Sequence, residues 1–512
     1  MSANRETNEE AMLDGGRPKA PSTKWVVLGG LLLLVLGLLS LNLTHWPTPW
    51  YDEGVTLQAA SNLAEVRDSG QSPSGLEGYG SISSGPVVTI PIAALMRLFE
   101  KDLLWGRVVI VVYGILAVGA IFLLAEKSFD LKTAILSVLL LLIAPLARSD
   151  TSATFLGLGR MVMGEVPQLF YLAAGWLLWS QSLAGGRRVY AALAGLSFGL
   201  AIMAKQQAVL VVPTLIVLWI VDRLRSRQLH LFQVAIPVVA CLAALVAWIA
   251  LDSLMGGATG GGTQGILGRL GTNVGLFAPQ QMVRNARGLL GTGALTWGLP
   301  GLVYVIYLSR GRDKLSLGRL AVAGFCLVWL SWFTVGSIGW LRYAFVPNAF
   351  LSLFTAKLLI DVAEGFSVRG QHAGRNLAVA VALLLMILSP LQDALRDILL
   401  TRDSTPFDVA AYIDANVPAD SVIHTFEAEV AFLSDGEFVA PSMEDETRAI
   451  RHVQFGEPYP EGLQRIGSPP PEFLLEGPFA KLTEFYRPVL DGSDYTQVVS
   501  IGPYDLFRRV GP

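Results

Sequence analysis

Residues 25–44 read WVVLGGLLLLVLGLLSLNLT, twenty positions without a charge, and the chain then runs on to Trp46-Pro47-Thr48-Pro49-Trp50-Tyr51-Asp52-Glu53-Gly54. A bilayer core about 30 Å thick is crossed by roughly 20 apolar residues in a helix rising 1.5 Å each. The first stretch is therefore long enough to span, and the second lies at the membrane surface just beyond it. The same pattern recurs at 103–124, 133–147, 166–182, 190–204, 208–221, 232–251, 295–308, 320–338, 344–360 and 376–392. It predicts a polytopic α-helical membrane protein of about 11 transmembrane helices, forming a multispan membrane domain over 25–392. Residues 86–99 are apolar but interrupted by Pro91 and Arg97, and read as an interfacial or re-entrant helix. The leader 1–24 is polar and no Ala-x-Ala follows the first run, so that run reads as a retained anchor rather than a cleaved signal.

Composition agrees. Of 512 residues, 52% are hydrophobic and 15% charged, where a soluble domain carries about 25% charged residues. A formal charge of −3 argues against nucleic acid as a partner, because phosphate binding needs a basic surface. Cys241 and Cys326 both sit in apolar runs and offer neither a disulfide framework nor a metal site. Lys and Arg set the orientation. With the N-terminal tail in the cytoplasm, the inner segments hold 18 of them in 79 positions and the outer segments 10 in 131. The expected location is the inner (plasma) membrane, multi-pass, with the N-terminus cytoplasmic and the C-terminus outside.

Residues 393–512 differ in kind: their formal charge is −12, against +9 for the rest. They read as a separate extracytoplasmic α/β domain. Thr405-Pro406-Phe407-Asp408 has the form of an N-cap, a first-turn proline and a first-turn acid, and the helix should stop before Asn416-Val417-Pro418. Strands are expected at Ser421–Phe426 and Tyr504–Val510.

Two acidic motifs fall on the expected outer face. Asp52 and Glu53 are adjacent carboxylates, one of which can act as a base. The competing reading makes Asp52 a cap for an amphipathic helix 53–66 whose Val55, Leu57, Ala60, Leu63 and Val66 lie on the membrane. Glu165 stands two residues before Pro167 at the head of the fourth span, where a helix dipole favours a negative charge. Arg160, five residues earlier, can pair with Glu165 or face an anion. Lys205, Arg269, Arg284, Arg287 and Arg342-Tyr343 lie on the same side, where basic residues should be scarce, and some are candidates to bind a phosphate. Histidines without metal-ligand spacing make a zinc enzyme improbable.

Taken together these residues resemble the C-type glycosyltransferases, multispan enzymes that take a sugar from a polyprenyl-phosphate carrier. The likeness is to the bacterial group related to protein O-mannosyltransferases and to the transferase that places aminoarabinose on lipid A. It is carried by Tyr51-Asp52-Glu53-Gly54, by Gly159-Arg160 to Glu165-Val166-Pro167, by Gly195 to Lys205, by Arg342-Tyr343 with Pro347, and by the tail from Phe407 to Arg509. The resemblance implies that Asp52 is the general base, with Glu53 beside it. Glu165 would then bind substrate or metal, Lys205 and Arg342 the carrier phosphate, and Tyr51, Arg160 and Tyr343 would line the substrate site. It implies no fixed cofactor, since metal use varies between branches. The implied partners are a polyprenyl-phosphate-linked sugar, an extracytoplasmic lipid, glycan or protein acceptor, and the bilayer. The alternative is a transporter or flippase of a lipid-linked saccharide. Transporters place ionisable groups at mid-membrane on paired repeats, whereas the charges here cluster at span ends.

Overall fold

The computed structural model describes residues 23–69, 84–143, 154–225, 227–254, 278–368, 388, 391–457, 470–492 and 494–510. In chain order the membrane part holds α1 (Thr23–Ser40), α2 (Tyr51–Ser69), α3 (Pro86–Phe99), α4 (Leu103–Ser128), α5 (Leu131–Ile143), α6 (Phe155–Leu158), α7 (Glu165–Gly185) and α8 (Arg188–Ala204). It continues with α9 (Val211–Arg225), α10 (Phe232–Leu254), α11 (Pro279–Gly291), α12 (Leu299–Leu308), α13 (Lys314–Gly336) and α14 (Phe345–Val368). A further helix, α15, covers 391–400.

Local signals explain the ends of several helices. Asp102 and Asp313 accept the amides of Leu104 and Ser316, capping α4 and α13. Gly186, at φ 64°, stops α7 in a left-handed turn.

Six described helices are long and apolar enough to cross a membrane: α1, α4, α10, α13, 206–225 and 341–365. The α11 helix and the segment Ala294–Leu308 form a seventh if the pair, bent by 69°, is one span. The short helices α3, α5 and α8 are apolar too. The expected span 376–392 lies almost wholly outside the described residues. The expected fourth span is the helix α7, which is more polar because it packs inside the bundle and buries Glu165, Gln168 and Ser182. Its Trp176 lies 5.0 Å from the ring of Phe198 on α8 and 5.6 Å from Phe325 on α13.

The tail holds α16 (Thr405–Asn416), β1 (Val422–Thr425), α17 (Ala428–Leu433), β2 (Glu437–Val439), α18 (Met443–Phe455), β3 (Phe473–Glu476), α19 (Pro478–Thr483), α20 (Arg487–Leu490), β4 (Tyr495–Ile501) and β5 (Tyr504–Arg509). Its sheet has the order β2-β1-β3-β5-β4, with β1 parallel to β2 and β3 and the rest antiparallel. The first helix runs through Asn416, one residue past the predicted stop, and its cap is Ser404, not Thr405. The Ser404 hydroxyl donates to Asp408 at 2.8 Å.

The largest departure from expectation concerns α2. It does not lie on the membrane: residues 51–61 are all buried, because α2 is sandwiched between the bundle and the tail. Leu57 and Ala60 belong to the core of the bundle, while Tyr51 and Val55 belong to the core of the tail. Gly54 makes this possible. A Cβ there would sit 2.1 Å from the backbone nitrogen of Glu429, so α17 meets α2 backbone against backbone. An amphipathic stripe records only that two faces differ in polarity, not whether lipid or protein covers the apolar one.

Candidate active site

Four buried charges meet where α2, α7, the end of α8 and the turn before α14 come together. Asp52 Oδ2 lies 2.6 Å from Arg342 Nη1. Arg342 Nε is 3.7 Å from Glu165 Oε1, and that same oxygen accepts a close hydrogen bond from Lys205 Nζ. Asp52, Glu165, Lys205 and Arg342 are each less than a tenth exposed. Carboxylates and cations alternate, so the cluster has no net charge.

Each member is fixed by a local feature. Asp52 and Glu165 occupy the first turns of α2 and α7, where the helix dipole favours anions. Asp52 is inside its helix rather than a cap before it. Lys205 follows the last residue of α8, and its carbonyl accepts 2.7 Å from Gln168 Nε2 of α7. The Arg342-Tyr343 turn is tethered by Trp329 Nε1, which donates to the Tyr343 carbonyl at 2.8 Å. Aromatic faces complete the walls: the Arg342 guanidinium lies 4.2 Å from the Trp340 ring and 4.8 Å from that of Trp50, and Lys205 Nζ is 5.3 Å from Tyr343. Beside the cluster, Glu165 Oε2, Trp50 Nε1, Gln206 Nε2 and Gln207 Oε1 are buried and make no hydrogen bond. Such atoms are rare in folded proteins and mark capacity to bind a polar ligand.

Three residues expected at the site are committed elsewhere. Glu53 is fully buried and held by Arg107 through two bonds, 2.9 Å from Nε and 2.6 Å from Nη2, and also accepts the amide of Val162 at 3.0 Å. Arg107 spends its other donors on the carbonyls of Leu43 and Pro47, both at 2.7 Å. Arg160 does not pair with Glu165. Its guanidinium closes the end of α1, donating to the carbonyls of Leu38, Leu41 and Trp46, with the Trp46 ring 5.0 Å away. Tyr51 stacks on Phe479 of the tail at 4.0 Å and 6°. Of the loop arginines, Arg269 lies outside the described residues, Arg287 is exposed, and Arg284 reaches Gln454 of α18 at 2.6 Å. The functional partner missed in the sequence is Arg107. Its signal was a lone guanidinium inside an apolar run, where a buried partner is expected.

Among the described residues no three His, Cys, Asp or Glu side chains gather as a metal site.

Residues 83–249 match the sequence family described as dolichyl-phosphate-mannose-protein mannosyltransferase. No curated protein matches the chain in sequence. Among solved structures, ArnT from Cupriavidus metallidurans bound to undecaprenyl phosphate is similar with a TM-score of 0.61 at 17% identity, over 96% of this chain and 100% of that one. The chain has the ArnT fold. The archaeal oligosaccharyltransferase AglB from Archaeoglobus fulgidus, in complex with an inhibitory peptide and a dolichol-phosphate, has the same fold with a TM-score of 0.57 at 12% identity, over 95% of this chain and 74% of that one. Because the ArnT match runs over nearly all of both chains, the shared fold includes the tail as well as the bundle.

Proposed function

We propose that this chain is a glycosyltransferase of the inner (plasma) membrane, moving a sugar from a polyprenyl-phosphate donor to a lipid, glycan or protein acceptor on the outer face. The observation that carries the reading is the alternating cluster Asp52–Arg342–Glu165–Lys205, with unpartnered polar atoms around it. Burying an ion costs several kcal/mol even when it is paired. A site that must hold a phosphate and take up a proton gives a reason for bearing that cost.

The phosphodiester of the bound donor offers Arg342 and Lys205 an anion in place of the carboxylates, and it departs as a phosphate monoester. Arg342 turns to the donor, and Asp52 is left to accept the proton of the acceptor hydroxyl, which is a poor nucleophile until that proton is removed. The acceptor oxygen bonds to the anomeric carbon as the bond from that carbon to the phosphate oxygen breaks. The electron pair leaves on the phosphate, where Lys205 and Arg342 balance the charge, and the proton ends on Asp52. A single displacement of this kind inverts the anomeric centre. Glu165 keeps Lys205 aimed at the phosphate, and the tail roofs α2.

The test is transfer of radiolabelled sugar from a panel of polyprenyl-phosphate sugars to a membrane extract, comparing wild type with Asp52→Asn. Transfer by wild type and a loss of ~100-fold or more in the variant is the expected result for removal of a general base. Equal transfer by both would remove Asp52 from that role, and retention at the anomeric centre by product NMR would overturn the single displacement.

A further inference from the structure

At the end of the bundle away from the charge cluster, α9 and α13 diverge and leave a groove of about 170 Å³. Its walls are apolar, formed by Thr214, Leu218, Leu317, Leu320, Gly324 and Val328. Val217 and Val221 on its rim are about half exposed on the apolar outer surface of α9, part of the helical stretch 206–225 that is long and apolar enough to cross a membrane. From Thr214 to Arg225 the groove follows α9 for ~16 Å at 1.5 Å per residue. That is about half of the ~30 Å hydrocarbon core, the reach of one acyl chain in one leaflet.

The groove ends in cations. Arg225, Arg312 and Gly311 form its mouth, and Arg223, Arg227 and Arg310 adjoin it in sequence. Arg225 Nη2 gathers the carbonyls of Ser309, Arg310 and Gly311, which fixes the turn carrying Arg310 and Arg312. Two acids, Asp222 and Asp313, also border the mouth. Asp222 accepts the amides of Gln228 and Leu229 at 3.1 and 2.9 Å, and Asp313 caps α13 through Ser316. Arg225 is held by backbone carbonyls, and Arg312 is exposed with no ion pair among the described residues.

A cleft open to a bilayer is filled by hydrocarbon, and hydrocarbon anchored beside five arginines belongs to a lipid whose headgroup is an anion. We propose that the α9/α13 groove is a binding site for one anionic phospholipid of the surrounding membrane, its phosphate on Arg312 and Arg310 and an acyl chain along Leu218, Leu320 and Gly324. The site is separate from the transfer centre and does not depend on the reaction assigned there.

The experiment is native mass spectrometry of the detergent-purified full chain, titrated with phosphatidylglycerol or with phosphatidylcholine of the same acyl chains. Wild type is expected to retain phosphatidylglycerol in preference, and Arg312→Gln and Arg310→Gln to weaken that preference about fivefold each. Gly324→Phe tests the apolar half: an added Cβ meets only Thr214 Cγ2, at 4.0 Å, so the ring projects into the groove and should lower binding of both lipids. The exposed arginine variants remain decisive if the glycine variant fails to fold. Equal retention of the two lipids by wild type would overturn the proposal. So would unchanged selectivity in both arginine variants, or displacement of the lipid by inorganic phosphate alone.

Discussion

Asp52 and Glu53 are neighbours on one helix turn, both buried and both paired with an arginine, and they make opposite kinds of contact. Glu53 and Arg107 form a closed pair: two parallel bonds, two further carbonyls for the arginine and a backbone amide for the acid. Asp52 and Arg342 form an open one, in which the arginine is shared with Glu165 and packed between aromatic faces. A buried pair with four of the five arginine donors spent inside the protein holds the structure together rather than taking up a ligand. A pair whose cation is divided between two carboxylates can exchange one for an incoming anion. The comparison assigns Glu53 to the scaffold and leaves Asp52 available for chemistry.

The largest effect should come from breaking the closed pair. Arg107→Ala leaves Glu53 charged and unpaired in a dry interior, at a cost of ~3–5 kcal/mol. Purification yield and thermal unfolding should collapse together with activity. Asp52→Asn should behave differently, losing ~100-fold or more in transfer rate while the unfolding temperature moves little. If both variants lost stability equally, the distinction between closed and open pairs would fail.

In the proposed mechanism Lys205→Met and Arg342→Gln each remove one charge-assisted contact to the carrier phosphate. They should weaken binding of undecaprenyl phosphate by about 10- to 100-fold, the scale of one hydrogen bond to a charged group. Gly54→Ala sharpens the comparison from the other side, since its methyl would overlap the Glu429 backbone. We expect a loss of ~1–3 kcal/mol from overpacking, read as tail unfolding ahead of the bundle in a proteolysis time course.

The smallest effect is the pH dependence of the tail. Burial raises the Glu427 carboxyl to about 7, and burial together with the nearby Glu427 charge raises Glu429 further above its ordinary range. The folded tail therefore keeps protons that the unfolded chain releases above about 4.5. That contribution is present at low pH and lost as pH rises through about 7. His424, held down to about 4 by burial, acts in the reverse sense: stability falls as pH drops from 6.5 towards 4. Tail unfolding should thus come a few degrees earlier at about pH 8.5 than at about pH 6.5, and Glu429→Gln, which keeps an acceptor for Tyr504, should shrink that difference.

Much of the architecture was legible in residue order. The apolar runs mark the bundle, the change in charge marks the tail, and the acids and bases singled out at span ends include the four that meet. What could not be read were the partners. Arg160 and Glu165 are five residues apart and do not pair, while Asp52 and Arg342 are 290 positions apart and do. Apolar length and charge are local properties: a run of twenty uncharged residues spans lipid whatever surrounds it. Which carboxylate is saturated, and whether lipid or protein covers an amphipathic face, depends on what other segments bring to it. The Glu53–Arg107 clamp, the aromatic walls around Arg342 and the burial of α2 beneath the tail were decided only when distant segments packed together. In a low-dielectric interior, distance alone determines which charges interact strongly.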